Sequence, residues 1–187
     1  MKLEDAVTVK IGRNLSRGSE KDDFSLVAYS YEDLTHDLDG LFLDSKTSIN
    51  HDGNQNEGYL SITGEVVFSF VSSKAGIVSE QNQGKIINQN FAKLIIEHDG
   101  LDSSYLCYAL NESTSMKKQM AISMQGSTVP KLTPSILKEL EIKLPTLEKQ
   151  RTIGKAYFYL RKQQALAKKQ AQLEEQLYLG ILRKLDH

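Results

Sequence analysis

Four groups of residues in this chain have the chemistry to hold a polyanion. Arg13, Asn14 and Arg17 fall within one short segment, Lys74 follows an apolar run, Lys117 and Lys118 are adjacent, and Ser127, Thr128 and Lys131 follow Gly126. Lys, Arg, Ser and Thr donate hydrogen bonds to phosphate oxygens, while Arg, Lys, Asn and Gln match the donor and acceptor pattern on base edges. Each alone is more often a solvated surface residue, so the weight lies in their recurrence across turn-forming segments. Catalysis is not expected. The chain has no glycine-rich phosphate loop, no Gly-x-Ser-x-Gly elbow, no His-Glu-x-x-His and no Asn-Pro-Pro-aromatic tetrad of a DNA methyltransferase. Cys107 falls between Leu106 and Tyr108 and reads as a small core residue. His36, His51, Asp37, Asp39, Asp44 and Asp52 gather in one polar stretch without any metal-ligand spacing, so neither a metal nor a cofactor is expected.

Composition limits how those groups can be used. With 187 residues, 40% hydrophobic and 25% charged, the chain supports one globular domain of ordinary size and one long helix. A lone cysteine, an N-terminus without an apolar run and no window of membrane-span length point to a soluble cytoplasmic protein. The net charge of −1 conceals an asymmetry, because residues 147–187 hold nine Lys/Arg against four acids, which leaves −6 on residues 1–146. Residues 20–57 contribute ten acids against only Lys21 and Lys46. Binding of nucleic acid by net charge alone is therefore not available.

The elements that must position these residues follow from periodicity and turn signals. Residues 7–11, 24–29, 59–62, 65–71, 75–78, 85–87, 91–96 and 140–144 read as short strands, with the run around Val66, Phe68 and Phe70 apolar on both faces. Residues 32–58 read mostly as loop. Asp102 and Ser113 stand where N-caps belong, predicting small helices that begin at Ser103 and just after Ser113 and cover the sheet. The expected class is α+β: a mixed sheet or partly open barrel with small packing helices over residues 1–145, then a long helix over 146–187.

That helix is predicted to start at Leu147, behind Pro145 and an N-capping Thr146, and to run to Leu185. At 1.5 Å per residue it is about 58 Å long, too long to bury its apolar side on its own domain. A near-heptad stripe runs through Ile153, Tyr157, Leu160, Ala167, Leu177, Tyr178, Ile181 and Leu185, the spacing of a coiled-coil seam. Gly154 and Gly180 either permit close helix approach or mark fraying points.

The succession of segments resembles the DNA specificity subunits of type I restriction-modification systems. The resemblance rests on KLEDAVTVKIGRNLSRG at the start, GEVVFSF, SSYLCYAL, and above all QGSTVPKLTPSILKELEIKLPTLEKQRTI, with its Leu147-Glu148-Lys149-Gln150 helix start. Thr146 departs from the second proline common there, and Tyr157-Phe158-Tyr159 is bulkier than usual. The resemblance implies a binding module, not an enzyme. Such a domain reads one half of a split double-stranded DNA target, with DNA methyltransferase (modification) subunits and the restriction subunit as partners. One recognition domain, one helix and no internal repeat resemble a half-subunit, which a homodimer with antiparallel helices would complete. The acidic balance of residues 1–146 supports an alternative, an interaction protein that binds no DNA and dimerises or docks a partner through its coiled coil.

Overall fold

The structure, a computed structural model, describes residues 1–15, 27–40, 57–125 and 132–186. At its centre is a four-stranded antiparallel sheet of β1 (Val7–Ile11), β2 (Val66–Ser69), β3 (Lys74–Ile77) and β4 (Phe91–Ile96), in the order β1-β4-β2-β3. All four residues of β2 are buried, as its two-sided apolar run predicts. Alternation divides them between two cores. Val66 and Phe68 join the large core beneath the C-terminal helices, and Val67 joins Tyr29, Leu34, Val78, Ile87 and Phe91 on the other face.

The expected α+β class holds, with an open sheet. Among the described residues, however, four strands form where eight segments read as strands. Residues 59–62 and 85–87 meet at an isolated bridge of Leu60 to Ile86, where Ser61 N–H donates to Lys85 O and Ile87 N–H to Tyr59 O, and Ala28 also bridges Ile86, but no run of pairs extends these into a ladder. The described part of the predicted strand 24–29 contributes only the Ala28 bridge. Residues 140–144 make no strand either, only the bridge of Glu141 to Lys2. Ahead of them is a helix that the strand reading missed, α4 (Pro134–Glu139), started by Pro134 in its first turn and capped by Thr133, whose side chain accepts from Ile136 N–H.

The loop expected over residues 32–58 also needs correcting, because Tyr31–Asp39 is helix α1. Ser30 and Asp33 form a capping box, Leu34 and Leu38 are buried one turn apart, and Gly40 ends the helix at φ 59°. The acids around those two leucines masked a helical period in the sequence.

Helices α2 (Ser103–Glu112) and α3 (Thr114–Ser123) begin where their caps predicted. Asp102 accepts from the N–H groups of Ser104 and Tyr105, whereas Ser113 occupies its cap position without a side-chain bond. Helix α5 spans Leu147–Leu185, 39 residues. Thr146 makes no side-chain cap to it, a second departure from expectation. No helix among the described residues is long and apolar enough to cross a membrane.

Candidate nucleic-acid interface

Strand register gathers one end of the sheet. Ile11 pairs with Ala92, Ala92 with Phe68 and Phe68 with Ala75, so the residues beyond that row lie at a common end. Those residues are Gly12, Arg13 and Asn14 after β1, Asn88 and Asn90 before β4, the 70–73 loop after β2, and Lys74 at the start of β3. Gly12 approaches so closely that an added Cβ would lie 2.1 Å from Asn88 O, and Arg13 N–H donates to Ile87 O at 2.8 Å. Two predicted contacts, Arg13 and Lys74, are thus brought to the same end from opposite sides of the sheet.

Lys117 joins Lys74 through an acid that the sequence did not single out. Glu112, the last residue of α2, lies 2.6 Å from Lys117 Nζ and 3.4 Å from Lys74 Nζ, and Lys74 Nζ also donates to Asn111 O at 3.3 Å. Partial burial works to raise the Glu112 pKa, but the Lys117 hydrogen bond and the two lysine charges outweigh it and hold the carboxyl below its ordinary range. The trio carries one net positive charge in place of two. Lys118 is exposed on α3. Arg17, Ser127, Thr128 and Lys131 lie outside the described residues.

Several acids of residues 1–146 are engaged elsewhere. Asp33 pairs with Lys85 at 2.7 Å, and Glu65, at the opposite end of β2 from Ser69, pairs with the buried Lys93 at 2.8 Å. Asp37 is buried and accepts from Tyr29 Oη, Asn82 Nδ2 and Ser79 N–H. Asp39 pairs with Arg161 of α5 at 2.5 Å. Asp37 and Asp39 are therefore occupied by protein partners, and among the described residues no three His, Cys, Asp or Glu converge as a metal site. Cys107 is fully buried, and burial pushes its thiol above the ordinary range.

Helix α5 divides into two parts. Its first half belongs to its own domain: Gln150, Gly154, Tyr157 and Ala165 are buried, a correction to the reading in which Tyr157 lines an intermolecular seam. Ile153 likewise packs beside the domain core. The stretch from Leu147 does bury an apolar side on its own chain, since α2 and α1 both lie against it. Gly154 makes the α2 contact possible, because a Cβ there would stand 2.5 Å from Ser104 Cβ. Gln150, fully buried, accepts from Asp102 N–H and donates to Gly100 O and Pro145 O, locking the α2 start to the α5 start. Its only signal in the sequence was its place in the Leu-Glu-Lys-Gln start. Beyond Ala165 the apolar residues are uncovered: Leu166, Leu173, Leu177, Tyr178, Ile181, Leu182 and Leu185 are all exposed, Tyr178 at 64%. Leu160 is exposed as well. Nothing stands within 4 Å of an added Cβ at Gly180.

The α+β domain and the long helix continuous with it are matched together by one known family. The model of the type I restriction modification DNA specificity domain matches residues 1–175. This chain belongs to that family. Over 96 residues it is 36% identical to the type I restriction enzyme MjaIX specificity subunit of Methanocaldococcus jannaschii, a match covering 51% of this chain and 22% of that one. The HsdS subunit of Thermoanaerobacter tengcongensis shares its fold, with a TM-score of 0.56 at 21% identity over 92% of this chain and 39% of that one. A chain from a structure of type I R-M complex assembly and conformational transition gives a TM-score of 0.60 at 22% identity, covering 97% of this chain and 42% of that one. The S subunit of M. genitalium gives 0.53 at 13% identity. This specificity-domain chain thus spans well under half the length of the solved subunits it matches.

Proposed function

We propose that this chain reads one half of a bipartite DNA target for a type I restriction-modification system and carries no catalytic step itself. Arg13, Asn14, Lys74, Lys117 and Lys118 supply contacts from the described residues, and Arg17, Ser127, Thr128 and Lys131 supply others. The DNA methyltransferase subunits bind the assembled complex and perform the chemistry. The distal half of α5 pairs antiparallel with the same helix of a second copy, setting the distance between half-sites.

The observation that carries this reading is the family match through residue 175, which takes in both the recognition domain and most of the half-covered helix. The uncovered apolar stripe from Leu166 to Leu185 supports the pairing, because water-exposed leucines at that density are relieved by burial against a partner. Engagement of Asp33, Asp37, Asp39 and Glu65 by Lys85, Tyr29, Arg161 and Lys93 offsets part of the acidic balance of residues 1–146, which supports DNA binding over the interaction-only alternative.

Selection from a random DNA pool, with methyltransferase subunits present, tests the proposal. Enrichment of an inverted-repeat bipartite site is the expected result. Enrichment of a contiguous asymmetric site, or of none, would overturn it.

A further inference from the structure

The readout residues named so far are all polar, yet thymine is marked in the major groove by a methyl group. The loop of residues 70–73 joins β2 to β3 at the sheet end that carries Arg13, Asn14 and Lys74. Val71 stands in that loop 70% exposed, and among the described large hydrophobic residues only Leu185, at the end of α5, is more exposed. The loop is costly to form. Ser73 has φ 53°, in the left-handed region that a non-glycine residue enters against steric resistance, and Ser72 Oγ is shielded from solvent without a hydrogen-bond partner among the described residues.

The loop is also firmly held. Ser69 Oγ accepts from the N–H groups of Val71 and Ser72, each at 3.3 Å. The neighbouring Phe70 is buried, and its N–H donates to Asn90 O at 2.9 Å. A strained but anchored loop that displays one branched apolar side chain to solvent is the form of a reading element rather than of a mere connection.

We infer that Val71 is a specificity-determining residue of the DNA interface, its isopropyl group packing against the 5-methyl of a thymine in the major groove. This rests on the DNA-recognition reading above. β2 and β3 are held within the sheet and under the helices, so only the tip, residues 70–73, extends past the sheet end, and this tip enters the major groove, which is about 12 Å wide. Lys74 follows directly behind the tip, where the phosphate backbone passes. Arg13 comes from β1, two strands away and about 10 Å to one side, within reach of the next phosphates or base edges.

Deoxyuridine tests this cleanly, because it keeps every hydrogen-bonding group of thymine and lacks only the methyl. The full chain with its modification subunits is used to enrich a site, which is then remade with deoxyuridine replacing each thymine in turn. At one thymine the replacement weakens binding about fourfold, the effect of removing one methyl from an apolar contact. V71A is indifferent to the replacement at that position, while V71T, which keeps a γ-methyl, retains part of the discrimination. Val71 is a surface residue, so these variants keep the thermal midpoint of the natural protein. Equal affinity for thymine and deoxyuridine at every position, or a V71A that discriminates as the natural protein does, overturns the inference and leaves the DNA reading standing. A pool that enriches no sequence overturns both.

Discussion

Asn111 Nδ2 donates to Tyr157 Oη at 2.9 Å, and the same amide pairs with the backbone of Ala75, accepting from its N–H at 2.7 Å and donating to its carbonyl at 2.8 Å. One buried side chain thereby closes the outer edge of β3 and ties it to α5. Asn111→Ala leaves both backbone groups of Ala75 buried and unpaired, so it is expected to cost about 2–4 kcal/mol. Tyr157→Phe removes one acceptor and costs about 1 kcal/mol. Denaturant midpoints measure both, and a silent Asn111→Ala would show that water replaces the amide.

The same tyrosine makes stability depend on alkaline pH. Burial pushes the Tyr157 phenol up to about 12 although the Asn111 hydrogen bond and the Arg161 charge favour ionisation. The unfolded chain releases this proton near pH 10 and the folded chain holds it, so stability is full below about pH 10 and falls as pH rises toward 12. Tyr29, raised further by burial and by Asp37, adds to the decline. Tyr157→Phe is expected to flatten part of the slope in melts recorded across that window.

Two glycines in one helix predict opposite outcomes. Alanine at either gains about 1 kcal/mol of helix propensity. At Gly154 the new Cβ meets Ser104 Cβ at 2.5 Å and Tyr105 N at 2.9 Å, so Gly154→Ala forces α2 and α5 apart and lowers the melting temperature. At Gly180 nothing lies within 4 Å, so Gly180→Ala raises it or leaves it unchanged in the monomer. A loss at Gly180 in the assembled protein alone would place that residue in a close helix crossing.

Self-association is expected through the distal half of α5. Ile181→Asp places a charge in the proposed seam and weakens it, as sedimentation at micromolar concentration would show. The matched truncation ends after Leu166, because one ending at Pro145 would strip Tyr157 from the core. A full chain that sediments as a monomer without other subunits removes the homodimer.

Glu112 is expected to restrain DNA binding. Glu112→Gln frees Lys74 and Lys117 from a shared acid, which strengthens binding at low salt and steepens its salt dependence by up to about one phosphate contact per lysine. The natural chain is expected to bind DNA weakly alone and more tightly with methyltransferase subunits. An unchanged salt slope for Glu112→Gln in gel shifts would remove these lysines from the interface.

Helix length is expected to set target spacing. Paired antiparallel through their distal halves, helices of about 58 Å place half-site centres about 17 base pairs apart. A heptad inserted beside Ala167 preserves the seam, adds about 10 Å and lengthens the preferred spacer by about three base pairs. A spacer indifferent to the insertion would show that the helices do not measure it.

Local rules were enough for α5, for the Asp102 cap and for β4, because each is signalled by residues within a few positions of its boundary: Pro145, an aspartate before an apolar period, alternating apolar residues. The Leu-Glu-Lys-Gln start and the glycine-bounded segments also carried the family resemblance. Local rules misread α1, whose acids hide Leu34 and Leu38, and residues 85–87, whose apolar residues find one-residue bridges in place of a ladder. Tertiary structure alone decided the sides of α5. Tyr157 and Leu160 both belong to the heptad stripe, but α2 and β3 claim Tyr157 through Asn111, while Leu160 is left to solvent. Helical spacing tells which residues share a face; which neighbour covers that face depends on contacts dozens of residues away in the chain, as Asp39 with Arg161 and Gly100 with Gln150 show.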